Sequence, residues 1–211
     1  MGMTAVFAEA AERALALPAG EAVFDLDGTL IHGDISESAL ALLSPPGWDW
    51  DAYHALVATD DPEAKTRGSI TQGVLAAQAF AGLTVLQMNA LVDEAFVRGL
   101  VRPHEEVIAL ARALAEKHRV WILTGSPELL GWAVAPRIGI PNVIGLRTEM
   151  VGGRLTDQVI PPVTIATGKV TAAWVALGRR PVFAIGDSPW DLPLLHHAHT
   201  RLGIGRIAGV V

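Results

Sequence analysis

Ala22-Val23-Phe24-Asp25-Leu26-Asp27-Gly28-Thr29-Leu30 opens apolar and turns acidic within a few residues. Ala22 to Leu26 have the composition of a short buried strand, and the acidic residues and Gly28 end it. Residues i and i+2 of an extended segment point the same way, so Asp25 and Asp27 face one point above the sheet edge. Two carboxylates that close cannot both ionise cheaply unless a cation or a shared proton lies between them. The pair therefore implies a divalent metal, an acid/base pair, or both. The competing reading is a plain turn, since Asp and Gly are common turn residues. A calcium loop is excluded, because the Asp/Asn, Gly and Glu spacing it needs is missing.

Working outward, residues 4–17 are good helix formers stopped by Pro18 and Gly20. From Ile35 to about Gly99 the pattern is helical throughout, with segments near 35–43, 50–58, 70–81 and 84–98. Pro45-Pro46-Gly47, Pro62 and Gly82 separate them. After Pro103 the texture changes. Val107, Leu110, Ala111 and Leu114 repeat at helical spacing. A strand is then expected at 119–123, a helix at 127–138, a strand at 142–145 and a small hairpin of 146–151 with 154–155 around Gly152-Gly153. Residues 169–177 read as helix, 182–185 as strand and 191–197 as helix. Strands alternating with helices of this length imply a parallel sheet with right-handed crossovers. The expected fold is α/β, a doubly wound, Rossmann-like sheet from residues 1–33 and 100–211, with 34–99 inserted as an all-helical subdomain.

The chain has 211 residues and can bury roughly 70% of its unfolded surface, so it needs no staples. It has no cysteine, which removes disulfides, thiolate metal sites and Cys nucleophiles. A formal charge of −6 argues against a nucleic-acid surface, whose affinity comes from neutralising phosphates. No apolar run is long enough to span a bilayer. Glu9, Glu12 and Arg13 interrupt the N-terminal apolar stretch, unlike a signal peptide. Gly2 lacks the acylation pattern, because Val6 stands where Ser or Thr is wanted. A cytoplasmic protein is the expectation.

Other strand ends carry polar residues that packing does not require, and in open α/β sheets ligands bind beyond those ends. Thr124-Gly125-Ser126-Pro127 ends a strand, with Ser126 and Pro127 placed as N-cap and first residue of the next helix. Free backbone N–H groups there suit an anion such as phosphate; ordinary capping is the alternative. Lys169 falls in a first helical turn, where a cation opposes the dipole unless an anion accompanies it; taken alone, it reads as a solvated lysine. Asp187 lies just past a buried strand, where an unpaired carboxylate is costly. Asp191 has a second explanation, a capping box with Ser188.

The ordered set Asp25/Asp27, Thr124, Lys169, Asp187/Asp191 resembles the haloacid dehalogenase superfamily of phosphohydrolases from about Glu21 to His197. The helical insert after the first motif looks like that superfamily's type I cap. Thr148-Glu149-Met150-Val151-Gly152-Gly153-Arg154-Leu155-Thr156 points to the phosphoserine-phosphatase-like branch. The resemblance implies a Mg²⁺-dependent phosphatase acting on a small phosphorylated metabolite. Asp25 would be the nucleophile that forms an aspartyl-phosphate, and Asp27 the general acid and base. Mg²⁺ would be held by Asp25, the Asp27 carbonyl and Asp187, with Asp191 in support. Thr124, Gly125 and Ser126 would hold phosphoryl oxygens, Lys169 would offset charge, and Gly28 and Thr29 would line the substrate site. A phosphotransferase using the same intermediate, or an idle phosphate-ligand binder, are the alternatives.

Asp34 falls nine positions after Asp25, where phosphoserine phosphatases carry an acid reading the substrate amine. Their cap arginine, which reads the substrate carboxylate, is replaced here by Ala79 beside Gln78. Pro189 and Trp190 replace a small residue and an asparagine. These departures argue against phosphoserine itself. Only residues 200–211 follow the last motif, short of the further strand and helix such proteins carry. Gly203-Ile204-Gly205 has no following helix to make a dinucleotide site, and His196 and His197 suit a helix C-terminus better than a metal.

Overall fold

The computed structural model describes residues 4–210, so Gly2 lies outside the described residues. Its strands are β1 (Glu21–Phe24), β2 (Ile31–His32), β3 (Arg102–Pro103), β4 (Arg119–Pro127), β5 (Asn142–Val151), β6 (Arg154–Ile160), β7 (Phe183–Gly186) and β8 (Thr200–Gly203). Six of them form one sheet in the order β6-β5-β4-β1-β7-β8. All neighbours in it are parallel except β5 and β6.

The helices are α1 (Ala5–Leu15), α2 (Ile35–Leu43), α3 (Trp50–Ala55), α4 (Pro62–Ala79), α5 (Val85–Val97), α6 (Glu105–Ala115), α7 (Glu128–Ile138), α8 (Thr167–Leu177) and α9 (Leu192–His197). They pack on both faces of the sheet, which alternation along β1 makes visible. Ala22 and Phe24 join a core with residues of α1, α6 and α7, while Val23 joins a second core with residues of α8 and α9. The fold is therefore the α/β, doubly wound arrangement expected, and no helix among the described residues is long and apolar enough to cross a membrane.

Helices α2 to α5 occupy the stretch after β2. Side-chain caps start each of them: Asp34, Asp49, Asp61 and Thr84 accept from backbone N–H groups. Pro62, expected to separate helices, is instead the first residue of α4, a position where its missing N–H costs nothing. Helix α4 passes close to its neighbours because Gly68 leaves room: a Cβ there would lie 1.8 Å from the Leu56 carbonyl oxygen. The ends of the insert are clasped by β2 pairing with β3. The α4–α5 loop is also tied to β6, with Gly82 N–H donating to Leu155 O and Leu155 N–H to Leu83 O. Ile35, Leu40, Phe80, Met88 and Val92 share one apolar cluster with the sheet.

Residues 142–151 form one continuous strand rather than a strand followed by a hairpin arm. At the C-terminus, β8 supplies the strand expected to be missing, and a 3-10 turn at Gly205–Ile207 follows it.

Candidate active site

Strand order reverses at β1, whose neighbours β4 and β7 are reached by connections on opposite sides, and a crevice opens there beyond the carboxyl ends. A cavity of about 320 Å³ occupies it. Of the residues singled out in the sequence, Asp25, Asp27, Asp34, Gly125, Ser126, Lys169 and Asp187 line this cavity. Gly28, Thr29, Thr124 and Asp191 stand behind that lining.

Asp25 leaves β1 with its N–H still bonded to Ile185 O. Its Oδ2 accepts from Thr29 Oγ1 at 2.9 Å and its Oδ1 from Lys169 Nζ at 2.6 Å. Lys169 Nζ also donates to Asp191 Oδ1 at 2.5 Å. Lys169, a solvated surface lysine when taken alone, is in fact only 4% exposed. Its delivery depends on the preceding turn: a Cβ on Gly168 would lie 1.7 Å from Val163 O, and Ala166 sits at φ 50°, a strained conformation for a residue with a side chain. The capping box is present, with Asp191 Oδ2 accepting from Ser188 N–H and Oγ. Asp191 thus serves the turn with one oxygen and Lys169 with the other.

Asp27 faces the same cavity with different partners. Its Oδ1 accepts from Ile35 N–H at 2.7 Å, and its Oδ2 from Ser126 Oγ at 2.7 Å and Thr124 Oγ1 at 3.1 Å. Ser126 is therefore not the helix cap it was expected to be. Strand β4 stays extended to Pro127, its register shifts after Leu123, and Pro127 occupies the cap position before Glu128. The irregularity turns Thr124 and Ser126 onto one carboxylate.

Burial and the Asp191 charge push Asp25 well above the usual carboxylate range, against the downward pull of Lys169. Burial also raises Asp27, while the Ile35 N–H and the Ser126 and Thr124 hydroxyls hold it down. Burial works against the charge on Lys169, but Asp191 and Asp25 outweigh it and its pKa rises. Asp187 is raised by burial and Asp191. Burial and the Asp27 charge put Asp34 well above the ordinary range.

Asp25, Asp187 and Asp191 each place a carboxylate oxygen within 4.8 Å of the others. One buried lysine does not balance three carboxylates, and an all-oxygen donor set suits a hard divalent cation such as Mg²⁺. Glycines keep the cradle open: a Cβ on Gly28 would lie 2.6 Å from Asp187 Oδ2, and one on Gly186 2.5 Å from Asp191 Cβ. The residues present fit the ion. The carboxylate of Asp27 is outside this trio, and the C-terminal histidines form no such group among the described residues.

The sequence reading missed Glu37, Tyr53 and Arg206. Glu37 follows Asp34 by one helical turn, a spacing that could have flagged it. Arg206 comes from the C-terminal turn, where its N–H donates to Asp187 O, its Nη2 lies 3.5 Å from Asp187 Oδ2, and its guanidinium sits 5.3 Å from the Trp190 ring centroid. Nothing in its sequence context marks it.

A model of the haloacid dehalogenase-like hydrolase family matches residues 22–196. The chain belongs to that family. It is 25% identical over 206 residues to phosphoserine phosphatase SerB1 of Mycobacterium tuberculosis, covering 87% of this chain. It spans 64 to 65% of the length of the curated mycobacterial relatives it matches. Among solved structures, a substrate-bound phosphoserine phosphatase complex matches with a TM-score of 0.64 at 14% identity, over 90% of this chain and 89% of that one. A Bordetella pertussis protein matches with a TM-score of 0.67 at 19% identity, over 89% of this chain and 90% of that one. Both likenesses are likenesses of fold, and they agree with the mostly parallel, helix-flanked sheet of this haloacid dehalogenase-like chain.

Proposed function

We propose that this chain is a phosphatase of small phosphomonoesters working through an aspartyl-phosphate on Asp25. The observation behind this reading is the different company kept by two carboxylates two residues apart. Asp25 is bonded to a buried lysine beside two further acids, as an anionic nucleophile approaching an anionic phosphoryl group requires. Asp27 has no cation bonded to it and is held by one N–H and two hydroxyls, partners that suit a group exchanging a proton.

In the first step an Asp25 oxygen attacks phosphorus. The bond from phosphorus to the leaving oxygen breaks, and Asp27 gives its proton to that oxygen. In the second step Asp27, now a carboxylate, takes a proton from water as that water attacks the phosphorus of the aspartyl-phosphate. The bond to Asp25 breaks, and inorganic phosphate leaves with both aspartates restored. Lys169 holds Asp25 in place throughout and offsets its charge. Gly125 and Ser126 border the space for the phosphoryl group, while Thr124 acts through Asp27, its hydroxyl being bonded there. Mg²⁺ held by Asp25, the Asp27 carbonyl and Asp187, with Asp191 in support, would supply positive charge to the phosphoryl oxygens. Residues 34–99 serve as a cap whose helices α2 to α4 close the leaving-group side. The name of the mycobacterial relative supports a phosphorylated metabolite as substrate.

The test is phosphate release from p-nitrophenyl phosphate and a panel of metabolite esters, with Mg²⁺, with EDTA, and with Asp25→Asn. Metal-dependent release abolished by the substitution is the expected result. Release that is indifferent to Asp25→Asn would refute the assignment of the nucleophile.

A further inference from the structure

Among the described residues, Lys169 and Arg206 are the lysine and arginine that line the cavity, and they are held very differently. Lys169 Nζ is buried at 2.6 Å from Asp25 Oδ1 and 2.5 Å from Asp191 Oδ1. Asp187 is faced instead by Arg206, whose Nη2 lies 3.5 Å from Oδ2, longer than an ordinary N–H···O hydrogen bond. The Arg206 side chain is 60% exposed. Its guanidinium rests 5.3 Å from the ring centroid of Trp190, a cavity residue that the proposed chemistry leaves without a role. A buried lysine bonded to two acids is locked in place. An exposed arginine on an aromatic face, loosely paired to one acid, is not.

The backbone beside Asp187 does not depend on that side chain. Ile204 N–H donates to Gly186 O at 2.9 Å and Arg206 N–H to Asp187 O at 3.0 Å, so main-chain groups lace the C-terminal turn to the exit of β7. The turn also packs against Asp187, since a Cβ on Gly205 would lie 3.2 Å from Asp187 Cβ.

A guanidinium at Asp187 and a divalent ion held by Asp25, Asp187 and Asp191 would draw on the same carboxylate charge and repel each other. Two effects of Arg206 on such an ion have opposite signs. Its ion pair could hold Asp187 ready and raise affinity, or it could neutralise Asp187, repel the ion and lower affinity. The first effect is small, because main-chain bonds already place Asp187 and a loose pair with an exposed arginine contributes little. The second acts on the ion's double charge, and it wins. Resting on the reading of the three acids as a Mg²⁺ site, we propose that Arg206, seated on Trp190, is a built-in competitor for the metal at Asp187. It is a positioning residue that acts through Asp187 and sets how tightly, and how salt-dependently, the site loads.

The experiment is calorimetric titration of the chelator-treated full chain with Mg²⁺, at low salt and in about 0.5 M KCl. Wild type, Arg206→Met, Arg206→Lys and Asp187→Asn are compared, with melting in chelator as a check of folding. At low salt Arg206→Met should bind Mg²⁺ about three- to tenfold more tightly than wild type. Arg206→Lys, which keeps the charge, should stay near wild type, and Asp187→Asn should lose most binding. The gap between wild type and Arg206→Met should close in high salt, where exposed charges are screened. A merely structural role predicts the opposite, weaker binding in Arg206→Met at either salt concentration. The inference is overturned if Arg206→Met binds Mg²⁺ no more tightly than wild type, or if the gap is indifferent to salt. Those results leave Mg²⁺ binding by wild type in place, so they differ from failure of the metal reading, in which neither protein binds Mg²⁺ and the inference falls with it.

Discussion

Replacing Lys169 by Met puts the electrostatics of the site to a direct test. Lys169 Nζ lies 2.6 Å from Asp25 Oδ1 and 2.5 Å from Asp191 Oδ1, and the three side chains are 5%, 7% and 1% exposed. Removing one partner of a buried pair leaves uncompensated charge and costs roughly 3–5 kcal/mol. In a chain of this size each kcal/mol moves Tm by about 2–4 °C, so Lys169→Met should melt about 6–20 °C below wild type. The assay is calorimetry in chelator across a pH series. Lys169 has a folded pKa above its ordinary 10.5, so its stabilising charge is fully present through neutral pH and is lost only far into alkali. The pH dependence of the deficit therefore belongs to the carboxylates. Asp25, already raised, rises further without Lys169, and acid neutralises it before the protein unfolds. The deficit should shrink as pH falls toward 3.8. A variant melting within about 2 °C of wild type at neutral pH would refute this reasoning, as would a deficit that grows on acidification.

Three further outcomes are expected. Ser126→Ala removes a 2.7 Å hydrogen bond that holds the Asp27 pKa down. Turnover should fall by about tenfold or more, a hydrogen bond to a charged acceptor being worth roughly 1.5–3 kcal/mol, and the alkaline limb of the pH–rate profile should move up. Asp34→Asn keeps an N-cap but removes a carboxylate whose folded pKa lies well above 3.8. Wild type loses stability as pH rises from 3.8 through that folded value, so the variant should melt higher at neutral pH, with the margin vanishing in acid; an equal margin at every pH counts against it. Mg²⁺ at about 100 times its Kd should stabilise wild type by roughly 2.7 kcal/mol, and Asp187→Asn should lose most of that gain in melting experiments.

The sheet was legible because buried parallel strands are nearly continuous apolar runs, as Val182 to Ile185 and Ala22 to Phe24 are. What escaped notice was made by partners distant in sequence. Two residues of β2 gain strand geometry only by meeting two residues of β3 some seventy positions later. Thr200-Arg201-Leu202-Gly203 carries little apolar signal, and becomes β8 because β7 offers it a parallel edge. Pro62 carries either meaning in a sequence, breaker or first helical residue, and it is Asp61 ahead of it that starts α4 there.

The same division runs through the site. Asp25, Asp27, Lys169 and Asp187 were readable as a set because each stands at a strand end or helix start, where a charged side chain is hard to explain by packing. Their pairing was not readable. Lys169 looks like a surface residue one turn into a helix, and only the chain's return brings Asp25 to it from 144 positions away. Ser126 has the sequence of a helix cap, yet a register shift in β4 turns its hydroxyl onto Asp27. The geometry therefore separates two aspartates that the sequence presents as near equivalents. Asp25 is paired with Lys169 and stands beside Asp191 and Asp187, so a cation held by these acids would offset the burial and the Asp191 charge that push its pKa up. With hydroxyls and an N–H around it, Asp27 is suited to exchanging a proton. A shared-proton pair would need the two carboxylates bonded to each other; here each has its own partners instead, so a two-step transfer with distinct roles is the chemistry this arrangement favours.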